Sequence, residues 1–137
     1  MATSVVYYSG DLRTESEHLQ SGNKIITDAP IDNKGKGEGF SPTDLVATSL
    51  ANCMLTIMGI VARRHQVNID GTRADVEKIM GTEPRRIIEI QIEFYFPDNY
   101  DSKTKTILEK SALSCPVAKS LAESLHQSIG FNYGGEV

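Results

Sequence analysis

Cys53 and Cys115 are the side chains of this chain best suited to covalent chemistry. A thiolate attacks electrophilic oxygen or sulfur, and its availability depends on how far the surroundings lower the thiol pKa. The two contexts differ. Cys53 lies inside Leu45–Ala62, a run of eighteen residues without a charge. In such surroundings a free cysteine commonly packs as a small hydrophobe. Cys115 directly precedes Pro116 at an expected helix start, where unsatisfied N–H groups and the helix dipole would lower its pKa. On local physics Cys115 is the better nucleophile, and Cys53 needs a guanidinium that stabilises its thiolate.

Arg13 falls on an expected strand, where it is either a surface charge or a side chain projecting into a cleft. Arg85 and Arg86 follow Pro84 and read as solvated turn residues. His18, His65 and His126 are scattered without ligand spacing, so no metal site is expected from them. The segment "IDNKGKGEGF" is glycine-rich and charged, but its spacing matches neither phosphate-binding glycine motif, and it reads as a loop.

These residues need elements to hold them. Thr3–Tyr8 is rich in β-branched and aromatic residues, and Ser9-Gly10-Asp11 is a turn signal. Leu12–Leu19 can return as a strand, and Ser21-Gly22-Asn23 turns into "KIITDAP", giving a three-stranded meander. A helix then opens sharply. Ser41 suits the N-cap, Pro42 the first helical position, and Asp44 completes a capping box. It should end near Arg63-Arg64-His65, whose charges favour a helix C-terminus. At 22–24 residues it would be a rod of about 35 Å.

Leu45, Leu50, Met54, Ile57, Met58, Ile60 and Val61 cover nearly every face of that helix. A helix apolar all round must be covered all round. Its apolar run is about as long as a short membrane span, but Thr48, Ser49, Asn52 and Thr56 interrupt it, so a buried core helix is expected.

Further on, "VNIDGTRADVEKIM" and "RRIIEIQIEFYF" read as strands, with Ile88, Ile90, Ile92 and Phe94 on one face. "SKTKTILEKSAL" is an amphipathic helix, "SCPVAKSLAESL" starts a shorter one, and a final strand "SIGFNY" ends at Gly134-Gly135. Segregated strand and helix blocks predict an α+β fold with mainly antiparallel sheet, in a single domain over residues 1–137. One small sheet cannot cover the long helix, so a homodimer with this helix at the interface is expected.

The bulk properties exclude several classes. With 137 residues, 39% hydrophobic and 23% charged, the chain is an ordinary globular protein. A net charge of −4 lacks the basic footprint of a nucleic-acid or membrane-surface partner. The opening "MATSVVYYSGDL" has no secretory pattern, and two cysteines 62 residues apart make no disulfide scaffold. A cytoplasmic location is expected.

The F-S-P-T-D-L opening, the small-residue helix "VATSLANCMLTIM" with its central cysteine, and the late "SCPVAKSL" resemble the OsmC/Ohr family of osmotically inducible and organic-hydroperoxide-resistance proteins. The order of elements is similar over most of the chain. The resemblance implies an intertwined homodimer, with antiparallel sheets wrapped around long central cysteine-bearing helices. It also implies reduction of organic, lipid-type hydroperoxides in oxidative stress defence. Cys53 would then be the peroxidatic thiol and Cys115 the resolving thiol that closes a disulfide with it. No cofactor would be bound, and an external dithiol of the lipoyl type would reduce the disulfide. The family's catalytic arginine is best matched by Arg13. Active members carry a glutamate directly after the helix-opening proline; here that residue is Thr43, and the nearest acid is Asp44. A departure at that position also fits an alternative, a non-catalytic dimer that binds a hydrophobic ligand or senses redox state.

Overall fold

The computed structural model describes residues 1–134, and the chain divides into two compact units, Met1–Val46 and Ala47–Val137. Strands and helices are segregated along the chain, so the α+β class expected from the sequence holds.

In the first unit β1 (Ser4–Gly10), β2 (Arg13–His18) and β3 (Lys24–Asp28) form an antiparallel meander in that order. Gly10, Asp11 and Leu12 all adopt left-handed backbone, with φ of 90°, 58° and 63°. Leu12 therefore belongs to the turn, and β2 starts one residue later than the sequence pattern indicates. The register sets Arg13 opposite Asp28 and Thr14 opposite Thr27. Only Thr27, Asp28 and Ser41 are buried in this unit, whereas Val6, Tyr7, Tyr8, Leu12, Ile25 and Ile26 are exposed. The small sheet has no hydrophobic core of its own.

A 3₁₀ turn at Ile31–Asn33 interrupts the charged loop, and α1 follows over Pro42–Arg64. The capping box forms as the sequence indicates. The Ser41 N–H donates to the Asp44 carboxylate at 3.0 Å, and the Asp44 N–H donates to Ser41 Oγ at 3.1 Å. Basic Arg63 and Arg64 occupy the last turn.

The second unit contains β4 (Arg73–Gly81), β5 (Arg86–Tyr95), α2 (Ser102–Leu113), α3 (Pro116–Ser120) and β6 (His126–Asn132). Its core joins Leu50, Met54 and Met58 of α1 to Ile90, Ile92 and Phe94 of β5 and Leu108 of α2. α1 has the length and mean hydropathy (1.9 over its most apolar window) of a membrane span. Its engagement with β5 assigns that face to core packing. α1 is not covered on all sides within the chain, because Ile60 and Val46 stand 45% and 37% exposed.

Two further differences from the sequence reading have local causes. Val67–Thr72 is irregular because Gly71 (φ 88°) and the Thr72 hydroxyl, which donates to the Ile69 carbonyl, fold it into a turn. Ile88 lies at a bulge between β4 and β5, so the clean alternation begins at Ile90. The sheets are mainly antiparallel as expected, and one pairing, β6 with β5, is parallel. The chain reaches β6 through α2 and α3, a crossover that returns the strand in the same direction. β6 ends at Asn132, and Gly135 of the expected terminus lies outside the described residues.

Candidate functional site

α1 carries Cys53 midway along its length, half-buried against the core formed by its neighbours Leu50 and Met54. Cys115 comes from the chain between α2 and α3. The backbone of α2 ends at Ser114, and Cys115 takes an extended conformation (φ −66°, ψ 154°) as the N-cap of α3. Pro116 at the first helical position supplies the fixed φ that begins the new helix. This break turns the Cys115 side chain inward, where it is fully buried. Both thiols are free, and they lie close enough for Cys53 to influence the Cys115 thiol. The structure thus brings together the two cysteines that the sequence separates.

The electrostatics of Cys115 differ from the sequence expectation. A helix mouth was expected to lower its pKa, but the thiol is pushed up from its ordinary value. Burial is the main cause, because it penalises the anion. The nearby Cys53 thiol adds to it. The Ala118 N–H does donate to Cys115 Sγ, at 3.4 Å, and works in the opposite direction. With five residues, α3 supplies too few aligned amides to outweigh desolvation. Burial thus keeps Cys115 in its neutral form more firmly than its place at a helix start suggests.

In the first unit, Arg13 is held by two carboxylates. Its Nε and Nη2 reach Asp28 Oδ1 and Oδ2 at 2.7 and 2.8 Å, a bidentate fork, and Nη2 also reaches Glu38 Oε1 at 2.7 Å. The Glu38 N–H closes the network by donating to Asp28 Oδ2 at 3.0 Å. Asp28 is 2% exposed, and the Arg13 guanidinium holds its carboxyl below the usual carboxylate range against the opposing cost of burial. Asp28 and Glu38 were missed from the sequence. The signal for Asp28 was its place directly across from Arg13 once the Ser21-Gly22-Asn23 turn fixes the register. Glu38 lies in a glycine-rich loop with no period to place it.

Asp44, the acid nearest the position of Thr43, engages Ser41 in the capping box. His18 pairs locally with Ser21. Among the described residues no group of three or more His, Cys, Asp or Glu side chains is arranged to hold a metal ion. A hollow of about 480 Å³ opens beside the last turns of α1, lined by Thr56, Ile60, Arg63, Asn68 and Asp70. Neither cysteine lines it.

The family model for "OsmC-like protein" matches residues 35–129, a span that includes both cysteines. A crystal structure from Psychrobacter arcticus 273-4 is 56% identical, over 96% of each chain, with a TM-score of 0.93. That protein's assignment as an osmotic stress induced and detoxification response protein is provisional. An organic hydroperoxide resistance protein OsmC from Legionella pneumophila shares the fold at 15% identity, with a TM-score of 0.75 over 96% of this chain and 98% of that one. An OsmC-like protein from Mycoplasma pneumoniae does so at 16% identity, with a TM-score of 0.80 over 96% and 95%. No curated protein matches the chain. The match across residues 35–129 and the extent of the Psychrobacter likeness place this chain in the OsmC-like protein family.

Proposed function

We propose that the chain is a two-cysteine peroxidase for organic hydroperoxides. The observation that carries this reading is the proximity of the Cys53 and Cys115 thiols within one core. In the first step the Cys53 thiolate attacks the terminal oxygen of ROOH. The O–O bond breaks, ROH leaves with a proton, and Cys53 becomes a sulfenic acid. Cys115 then attacks the Cys53 sulfur, its proton leaves with the hydroxyl as water, and a Cys53–Cys115 disulfide forms. An external dithiol of the lipoyl type, oxidised to its own disulfide, restores both thiols. The raised pKa of Cys115 suits the second role, since its proton stays in place until the sulfenic hydroxyl needs it. The resemblance assigns Arg13 to support the peroxidatic thiolate; its fork with Asp28 fixes the guanidinium within its own sheet.

A homodimer is part of the same proposal. The exposed Val6, Tyr7, Tyr8, Ile25 and Ile26 of the N-terminal sheet, and the exposed Ile60 of α1, are apolar surface suited to a second copy.

The depth of Cys115 favours a second reading, a redox sensor. A disulfide to a fully buried sulfur is hard for a reductant to reach, and it would then persist as a signal. Steady-state consumption of an organic hydroperoxide with a lipoyl dithiol separates the two. Sustained turnover that disappears in Cys53→Ser supports the peroxidase. A single turnover supports the sensor, and equal consumption by Cys53→Ser eliminates both.

A further inference from the structure

Ala118 is gripped from both sides. Its N–H donates to Cys115 Sγ at 3.4 Å, and its carbonyl accepts from Gln127 Nε2 at 3.0 Å. Gln127 lies on β6, paired with Ile90 at the centre of the sheet, and its side chain is partly buried. α3 is otherwise held by the core contacts of Val117 and Ala118. Of its five residues only Ala118 is buried, and the Lys119 N–H to Cys115 carbonyl bond, at 3.1 Å, is a single helical turn. The segment 118–127 curls around an open hollow of about 640 Å³ and meets the core through Ala118, Leu121 and Leu125. A five-residue helix is too short to persist by propensity. Its orientation must be set from outside.

We propose that Gln127 is a positioning residue for the resolving cysteine. It clamps the Ala118 carbonyl to the rigid sheet, which fixes the Ala118 N–H under Cys115 Sγ and so aims that sulfur at Cys53. This role rests on the two-cysteine peroxidase reading. Gln127 has no part in the first step, because its side-chain hydrogen bond goes to the Ala118 carbonyl and not to a thiol. Its effect belongs to disulfide closure, where the Cys115 sulfur must approach the Cys53 sulfenic acid in line with the departing hydroxyl. Displacements of about 1 Å in such an approach cost up to ~100-fold in rate.

The test follows the two steps separately in the full-length protein. Reduced protein is mixed with cumene hydroperoxide. Cys53 sulfenic acid is trapped with a dione reagent in a Cys115→Ser background, and disulfide closure is followed by rapid quench with Cys115 present. Gln127→Ala, and Gln127→Met, which keeps the side-chain length without the donor, are compared with the unsubstituted chain. Expected is an unchanged rate of sulfenic acid formation, with disulfide closure slowed by about tenfold or more and amide exchange at Ala118 accelerated. Slow closure together with a lowered rate of sulfenic acid formation would show general unfolding and overturn the positioning role. So would closure at the unsubstituted rate in either variant. Absence of any trapped sulfenic acid on Cys53 would instead overturn the peroxidase reading itself.

Discussion

The Cys115 thiol is fully buried and lies beside Cys53, a residue on a helix that the chain left two strands and another helix earlier. Burial and that neighbour both favour its neutral form, and stability must then depend on pH on the alkaline side. The folded-state pKa lies above the unfolded one, so the contribution is complete below about pH 8.5, the ordinary thiol range. It is lost as pH rises through the folded value, because the unfolded chain ionises first. Denaturant midpoints measured from pH 7.5 to 10 should fall with pH in the native chain, with this one group contributing at most about 1.4 kcal/mol per pH unit. Cys115→Ala should show a shallower fall.

Acid should act on the other unit. The Asp28 pKa is lowered, chiefly by the hydrogen bonds from Arg13. Its contribution is therefore complete above about pH 4, the unfolded carboxylate range, and is lost as pH falls through the folded value. Amide exchange in β2 and β3 should accelerate below pH 4 in the native chain. In Asp28→Asn it should be fast already at pH 7 and should respond less to acid.

The core of the second unit offers a stability test independent of chemistry. Leu50 is fully buried among α1, β5 and α2 side chains. Leu50→Ala should cost about 2–5 kcal/mol by urea unfolding, the usual range for an unrelaxed cavity. The same truncation at Ile31, which is 77% exposed, should cost well under 1 kcal/mol.

Assembly is tested by mass. A homodimer has twice the 15.0 kDa of one chain. Sedimentation equilibrium at micromolar concentration should return that doubled mass, and a species of 15.0 kDa would contradict the dimer.

The order of elements was legible in the sequence because its signals are local. The Ser41/Asp44 capping box and the basic end of α1 appear where they were read, and the alternation of β5 does so from Ile90 onward. What depends on contacts distant in sequence was not legible. Nothing local shows that β6 pairs with β5 in parallel, since its direction follows from the path through α2 and α3. The helix-mouth argument for Cys115 failed for a related reason. It treated α3 as a full helix in water, whereas five residues around a buried sulfur leave desolvation in charge. The Arg13–Asp28 fork needed the strand register, and Glu38 needed the course of a loop without periodicity. The pairing of the two cysteines came from a family resemblance, because no spacing rule joins residues 62 positions apart.

The central claim is that Cys53 and Cys115 form one redox couple. Its most direct measurement treats the fully reduced protein with one equivalent of cumene hydroperoxide and identifies cross-linked peptides by mass spectrometry without reductant. The expected product has lost two hydrogens and contains a single Cys53–Cys115 disulfide within one chain, absent in Cys53→Ser. Peroxide consumed without that link, or the same consumption by Cys53→Ser, would contradict the claim.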